Sequence, residues 1–253
     1  MNWVTRGLYG LWGVFAWLVF AVAVIVALLS ATFVPGMQRR QRIAAAVAKA
    51  LFVATGTRVA VTGVDNLPTD HCIVVANHAS YVDGILLKAY LPGRFSFVIK
   101  GEMRDIPIAH FLLRRSGSKF VERNQLTGSA RDARQIVKAA QEGESLGFFP
   151  EGTFLKERGV GRFRAGAFVA AVRGELPVIP VAISGTRFML PSGRILPRPN
   201  RLRIDILPAI APGDPQFGDS RELAEAARQR ILTILDEPDL VPRTGDKAEP
   251  ASN

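Results

Sequence analysis

The chain has 253 residues, a formal net charge of +10 from 32 basic and 22 acidic side chains, and a hydrophobic content of 48%. This length fits one domain of ~100–200 residues with a further segment attached. A single cysteine excludes an intrachain disulfide, and three histidines without an HExxH or CxxC pattern predict no metal site.

The positive charge predicts an anionic partner. A nucleic acid is not favoured, because aromatic residues form only 8% of the chain and no RNP, helix-turn-helix or zinc-finger pattern is present. An anionic membrane surface or a phosphorylated substrate fits the charge equally well.

Residues 7–38 contain no charged side chain, and an apolar run of this length is enough to cross a ~30 Å hydrocarbon layer. We predict a membrane-anchoring helical segment at 1–55, an α/β domain at 56–240 and a disordered tail at 241–253. The arginines at 39, 40 and 42 place the domain on the cytoplasmic side of the inner membrane. The segment either spans the bilayer once or turns at Pro35-Gly36 and returns as a hairpin.

The body alternates between strand-like and helix-like patterns. Apolar or alternating runs predict strands at 58–62, 72–76, 96–99, 119–121, 145–149, 178–184 and 202–207. Spacings of three and four between apolar residues predict helices at 127–141, 163–172 and 220–235, the last capped by Asp219 or Ser220. This alternation predicts an α/β fold with a central mixed sheet flanked by helices. Cys72 is expected to be a small buried residue of a strand.

A histidine and an aspartate follow the strand at 72–76. His78 is predicted to lie in a strand-to-helix turn, at the edge where sheets of this kind present functional side chains. A regular helix separates positions five apart by ~140°, so His78 and Asp83 meet only if the helix begins after His78. The pair would supply a general base. In the alternative interpretation, Ser80 and Asp83 form a capping box and merely start the helix.

A second motif, Phe149-Pro150-Glu151-Gly152-Thr153, follows the strand at 145–149. It places a carboxylate beside a glycine that lets the backbone approach a ligand, although Pro-Glu-Gly also forms an ordinary turn. Between the two motifs, Arg123 follows a short strand, and its planar fork of donors suits phosphate oxygens.

Taken together, these motifs resemble the ordered blocks of the glycerolipid acyltransferase family, and most closely its bacterial 1-acylglycerol-3-phosphate acyltransferases. The four blocks are Asn77-His78 with Asp83, then residues 117–123, 149–153 and 178–181. The resemblance implies transfer of an acyl chain from acyl-CoA or acyl-carrier protein to a lysophospholipid hydroxyl in phospholipid biosynthesis. No cofactor is implied.

The resemblance also implies roles for single residues. His78 is the base and Asp83 orients it, Arg123 binds the acceptor phosphate, and Lys100 lies beside the reacting thioester. Glu151, Gly152 and Thr153 shape the acceptor site. Three alternatives stay open: acylation of another acceptor such as a lyso-ornithine lipid, a non-catalytic lipid-binding relative, and a lipid esterase.

Overall fold

The computed structural model describes residues 3–121, 126–154 and 156–241, so the predicted tail lies outside the described residues beyond residue 241. The helices are α1 (Trp3–Phe33), α2 (Met37–Ala54), α3 (Val82–Tyr90), α4 (Pro107–Arg115), α5 (Leu126–Gln141), α6 (Gly166–Gly174), α7 (Thr186–Met189) and α8 (Ser220–Leu232). The strands are β1 (Val59–Thr62), β2 (Ile73–Ala76), β3 (Ser96–Lys100), β4 (Lys119–Val121), β5 (Leu146–Phe148), β6 (Val178–Ser184) and β7 (Leu202–Ile206).

These strands form one sheet in the order β1-β7-β6-β2-β5-β3-β4. Strands β2 to β6 run parallel to one another, whereas β7 pairs antiparallel with β6 and β1 follows the direction of β7. The central strand β2 is fully buried, as expected for an apolar strand covered by helices on both faces. The predicted mixed sheet flanked by helices is therefore confirmed.

Two apolar cores hold the sheet, one on each face. One packs α5, α6 and α8 against the strands through side chains such as Phe168 and Leu223. The other packs α2 and α3 through Phe52 and Leu86. Successive residues of β2 point alternately into the two cores. Full burial of each large side chain contributes ~1.5–3 kcal/mol, so the carboxyl end of β2 has a firmly held position.

The predicted elements match the structure at some boundaries and miss others. The strands predicted at 119–121 and 178–184 coincide with β4 and β6, and Asp219 caps α8 by accepting two backbone N–H groups. The helix predicted from residue 163 is wrong at its start, since α6 begins at Gly166. Arg164 donates its N–H to Pro150 O at 2.9 Å, which keeps the preceding residues outside the helix. The sequence prediction omits α4, although Pro107 in a first turn is typical of a helix start.

Cys72 is buried, as the sequence predicts, but it lies just before β2 and not within the strand, which begins at Ile73. Its side chain has no exposed surface. Burial raises the pKa of its thiol to about 11, so little reactive thiolate exists at neutral pH.

The chain turns sharply between α1 and α2. Helix α1 ends at Phe33, and Gly36 has a φ of 83°, a left-handed conformation that glycine adopts readily. Helix α2 then packs against both α1 and α3. The N-terminal region is therefore a helical hairpin that is docked on the α/β body.

Helix α1 runs along this body. The indole N–H groups of Trp12 and Trp17 donate to Thr55 O at 3.1 Å and to Ile195 O at 2.9 Å. Near the other end of the helix, Arg115 Nε donates to Ala31 O at 2.7 Å. Among the described helices, α1 alone is long and apolar enough to cross a membrane, and only 11% of its most apolar window is buried. One side of α1 thus contacts the protein while most of its apolar surface stays open.

Lys88 on α3 provides a test of how α3 is packed. Its ammonium is partly buried without a carboxylate partner among the described residues, and burial lowers its pKa from 10.5 to about 8. The unfolded chain binds this proton more tightly, so Lys88 destabilises the fold below pH 8, and this effect disappears as the pH approaches 10.5. We expect Lys88→Met to raise the free energy of unfolding by ~1–2 kcal/mol at pH 7, measured by denaturant unfolding in detergent. An equal gain at pH 7 and at pH 10.5 would contradict this account.

Candidate active site

The loop between β2 and α3 begins at a side chain that ties two strands together. Asn77 Nδ2 donates to Ile183 O at 3.0 Å, and Ile183 N donates to Asn77 Oδ1 at 2.7 Å. The next residue, His78, therefore leaves the sheet from a fixed point at the carboxyl end of β2. This is the edge where parallel sheets commonly present functional groups.

His78 and Asp83 are in direct contact. His78 Nδ1 lies 2.9 Å from Asp83 Oδ2, and the aspartate side chain is fully buried. The same oxygen accepts the N–H groups of Ala79 at 2.7 Å and Ser80 at 2.8 Å. Helix α3 begins only at Val82, so the predicted break between the two residues is present. Asp83 both organises the helix start and holds the imidazole, which joins the two interpretations that the sequence left open.

The contact fixes how the imidazole can act. Asp83 accepts a hydrogen bond at Nδ1, so Nδ1 carries the proton in the neutral ring and Nε2 presents its lone pair. The His78 side chain is 18% exposed, which leaves the ring accessible from one side. A neutral imidazole in this tautomer is a general base for a hydroxyl group.

Aromatic side chains frame the imidazole on two sides. Phe149 stacks on His78 with ring centroids 4.2 Å apart and planes 18° apart. Phe154 meets the ring edge-on at 4.8 Å, and Tyr81 meets Phe154 at 4.6 Å. The sequence pattern pointed to Phe149 only as part of its motif and did not predict roles for Tyr81 or Phe154. These contacts restrict the rotation of the His78 ring about its side-chain bonds.

Glu151 supports the backbone of His78. Its buried carboxylate accepts the His78 N–H through Oε1 and the Gly161 N–H through Oε2, each at 2.8 Å. Burial raises the pKa of Glu151, and the two N–H groups oppose that shift. The sequence predicted an acceptor-binding role for Glu151. Both carboxylate oxygens accept backbone N–H groups, so Glu151 holds the backbone of His78, a contact that the motif did not reveal. Contact of Glu151 with an acceptor stays a prediction.

The turn after β5 places Glu151. Gly152 has a φ of 83°, and its N–H donates to Phe149 O at 3.0 Å. Residues with a Cβ rarely adopt this left-handed conformation, so glycine is needed for the turn to close. Thr153 follows on the surface. Contact of Gly152 or Thr153 with an acceptor stays a prediction.

The structure places Lys100 two strands away from the strand that leads to His78. Lys100 ends β3, which is separated from β2 by β5, and neighbouring strands lie ~5 Å apart. Its ammonium pairs with Glu102 Oε2 at 2.5 Å in a partly exposed position. Arg123, the predicted phosphate ligand, lies outside the described residues. The roles of Lys100 and Arg123 therefore stay predictions.

An apolar cavity of about 130 Å³ lies beside the aromatic frame. Helices α1, α2 and α3 form its walls, and Tyr81, which contacts Phe154 next to His78, is part of its lining. Other lining side chains are Trp12, Ala16, Phe20, Phe52, Ile85 and Leu190. Most of the lining side chains are apolar.

A larger cavity of about 540 Å³ lies at the edge strand β4. It is lined by charged groups that include Lys119, Lys138 and Glu144, and no residue of the segment 77–83 lines it, whereas Tyr81 and Val82 line the smaller cavity. Lys119 is already paired with Glu144 at 2.9 Å. We therefore place the candidate active site at the smaller cavity.

The histidine–aspartate pair and strands β1 to β6 all lie within residues 58–184. Residues 58–184 match the family model described as Acyltransferase, and this match covers half of the chain. The protein belongs to the acyltransferase family.

Two curated relatives and one solved structure are similar to this chain. The 1-acyl-sn-glycerol-3-phosphate acyltransferase of Chlamydomonas reinhardtii is 30% identical, over 73% of this chain and 54% of that protein. The lyso-ornithine lipid O-acyltransferase of Pseudomonas aeruginosa is 30% identical, over 66% of this chain and 69% of that protein. The crystal structure of the 1-acyl-sn-glycerophosphate (LPA) acyltransferase PlsC from Thermotoga maritima is 23% identical, with a TM-score of 0.75 over 90% of this chain and 94% of that chain. The last similarity shows a shared fold. The chain spans 54% of the length of the Chlamydomonas reinhardtii protein and between 38% and 69% of the length of other curated relatives.

Proposed function

We propose that this protein transfers an acyl chain from acyl-CoA or acyl-carrier protein to the free hydroxyl of 1-acylglycerol-3-phosphate. The product is phosphatidic acid, a precursor in phospholipid biosynthesis. The observation that carries the proposal is the 2.9 Å contact between His78 Nδ1 and Asp83 Oδ2 beside an apolar cavity. Membership of the acyltransferase family supports the reaction class, and the names of its glycerophosphate-acylating relatives support the acceptor.

In the proposed reaction, His78 acts as a general base. Its Nε2 removes the proton of the glycerol hydroxyl as the hydroxyl oxygen attacks the thioester carbonyl. The tetrahedral intermediate then expels the thiolate by breaking the carbon–sulfur bond, and the imidazolium returns its proton to that sulfur. Asp83 holds the ring and stabilises the imidazolium. The substrate oxygen attacks directly, so no serine or cysteine nucleophile of the protein is required.

Helix α1 supports a membrane arrangement within one leaflet. Its hydrogen bonds to the body extend from Trp17 to Ala31, 14 positions apart, which is about 21 Å along a helix. A hydrocarbon layer is ~30 Å thick, so a perpendicular crossing would carry the docked body into the lipid. The hairpin geometry avoids this, because the open apolar side of α1 faces the acyl chains while the body stays at the surface. Arg39 and Arg42, just after the turn, support the cytoplasmic face of the inner membrane.

The apolar cavity is proposed to hold an acyl chain. Ala16 is a small, buried member of its lining, so Ala16→Phe is expected to fill part of the space. We expect kcat/KM to fall about tenfold or more for long-chain substrates and little for short-chain ones. A long chain loses the binding energy of each methylene that the filled cavity excludes, whereas a short chain does not reach that part of the cavity. The measurement is kcat/KM across a series of acyl-chain lengths. The control is Ala21→Phe, which makes the same change on the exposed side of α1. An equal loss for every chain length would exclude this role for the cavity.

A lyso-lipid panel tests the acceptor. Purified protein in detergent is given acyl-CoA or acyl-carrier protein donors with 1-acylglycerol-3-phosphate, other lysophospholipids and lyso-ornithine lipid. We expect acylated product from 1-acylglycerol-3-phosphate at the highest kcat/KM. Activity confined to a phosphate-free acceptor would refute the proposed acceptor.

Acylation of lyso-ornithine lipid is the second candidate function. The Pseudomonas aeruginosa relative of that name supports it, with 30% identity over 69% of its length. The same panel also separates the remaining alternatives. Release of free fatty acid without acylated lipid would indicate an esterase, and absence of turnover with every donor would indicate a lipid-binding protein.

A further inference from the structure

Arg187 holds the loop formed by residues 157–161, called here the 157–161 loop. This arginine follows β6, at the start of α7. Its Nη1 donates to Glu157 O at 2.8 Å, and its Nη2 donates to Gly159 O at 3.2 Å. A single guanidinium therefore binds two carbonyl groups of the same loop.

Glu237 closes this arrangement from the C-terminal part of the chain. Its carboxylate accepts Arg187 Nε and Nη2, each at 3.1 Å. The same carboxylate accepts the Gly159 N–H at 3.1 Å. Both charged side chains are 17% exposed, so the pair is largely shielded from solvent.

Residues 237–240, called here the C-terminal clasp, also bind the loop through backbone groups. Val160 N donates to Pro238 O at 3.0 Å, and Leu240 N donates to Val160 O at 3.1 Å. The approach is close at Gly159, where an added Cβ would lie 2.5 Å from Leu240 Cγ. The 157–161 loop and the C-terminal clasp therefore pack closely against each other.

Helix α8 anchors the clasp to the core. Arg228 is buried and donates to both carboxylate oxygens of Asp239, at 2.5 and 3.0 Å. Its guanidinium also donates to Glu225 through Nε and Nη2. The hydrogen bonds and the nearby charge of Arg228 lower the pKa of Asp239, so Asp239 stays ionised at neutral pH.

The 157–161 loop ends at the candidate catalytic centre. The N–H of Gly161 donates to Glu151 Oε2, and Glu151 Oε1 accepts the His78 N–H, each at 2.8 Å. Glu237 is therefore connected to His78 in three steps. It binds the Gly159 N–H, the backbone leads from Gly159 to Gly161, and Gly161 binds Glu151, which in turn binds the His78 N–H.

We propose that Arg187 and Glu237 are positioning residues, which set the place of His78 relative to its substrates through the 157–161 loop and Glu151. The proposal rests on the catalytic role of His78 in the proposed function. Displacing a reacting group by ~1 Å can reduce the rate about 100-fold, so a loosened loop lowers kcat without removing any group that touches substrate. Neutralising Glu237 also weakens the acceptor of Arg187 Nε and of the Gly159 N–H, which loosens the 157–161 loop.

The experiment compares Glu237→Gln and Arg187→Lys with wild type in the full chain. Each change keeps the side chain close to its original size while removing the charged pair or the planar fork. We expect kcat to fall about 10- to 100-fold, with KM for donor and acceptor within about threefold of wild type. Asp236→Asn is the matched control, because its ion pair with Arg158 is exposed and contributes little. We expect its kcat and melting temperature to equal those of wild type.

Thermal unfolding and a parallel His78→Ala variant separate the outcomes. Unchanged kcat in Glu237→Gln and Arg187→Lys would overturn the positioning role. A loss of activity that only follows the fraction of protein unfolded at the assay temperature would overturn it as well. If His78→Ala retained activity, the proposed function itself would fail. If His78→Ala were inactive while Glu237→Gln and Arg187→Lys were fully active, only the positioning role would be rejected.

Discussion

Replacing His78 by alanine is expected to lower kcat by ~10²–10⁴, the usual contribution of a positioned general base. The imidazole is the group that Asp83, Phe149 and Phe154 orient together, and its Nε2 makes no hydrogen bond with the residues that the structure describes. Without it, the acceptor hydroxyl must attack while still protonated. The measurement is the initial rate of acylated-lipid formation at saturating donor and acceptor, with folding checked by thermal unfolding.

A second histidine provides the control for this substitution. His71 is exposed and lies just before the first residue of β2, whereas His78 follows the last residue of the same strand. His71→Ala is expected to leave kcat unchanged. Wild-type kcat in His78→Ala would reject a catalytic role for the imidazole, and equal losses in both variants would point to a general effect of removing a histidine.

Replacing Asp83 by asparagine is expected to lower kcat by ~10³–10⁴, a loss of the size seen when a comparable triad aspartate becomes an amide. The amide has no charge to stabilise the imidazolium, and it can favour the wrong imidazole tautomer. Its carbonyl oxygen can still accept the N–H groups of Ala79 and Ser80 that Asp83 Oδ2 accepts. The melting temperature of Asp83→Asn is therefore expected to stay close to that of wild type.

Asp83→Ala separates the two tasks of the aspartate. It removes the acceptor for the Ala79 and Ser80 N–H groups as well as the charge, so we expect an additional loss of ~1–2 kcal/mol in unfolding free energy. Unfolding and kcat are measured on both variants. If Asp83→Asn kept wild-type kcat while Asp83→Ala lost stability, Asp83 would serve the helix start alone.

The dual use of Asp83 explains why the spacing of the motif works. A single regular helix would place His78 and Asp83 on different faces. Instead, Asp83 Oδ2 accepts hydrogen bonds from the Ala79 N–H, the Ser80 N–H and the imidazole. These three bonds bend the chain back before α3 begins. The contact that starts the helix is the same contact that orients the base.

Local pattern was sufficient for several features of this protein. The buried strand β2 follows from a continuous apolar run. Pro35-Gly36 marked the end of the uncharged segment, but the structure was needed to choose the turn over a single span. The meeting of His78 and Asp83 follows from a strand end, a short loop and a capping residue. Each of these rests on interactions within about five residues, and their preferences can be read from neighbouring side chains.

Tertiary structure decided the rest, because the partners are distant in the chain. Glu151 accepts the His78 N–H across 73 positions, and Arg187 meets Glu237 across 50. The docking of α1 through Trp17 and Ile195 spans 178 positions. Such contacts depend on the order of strands in the sheet, and no local preference records that order. The amino-acid sequence alone therefore determined the histidine–aspartate pair and the class of fold, while only the packed sheet decided what holds that pair in place and how the hairpin lies on the body.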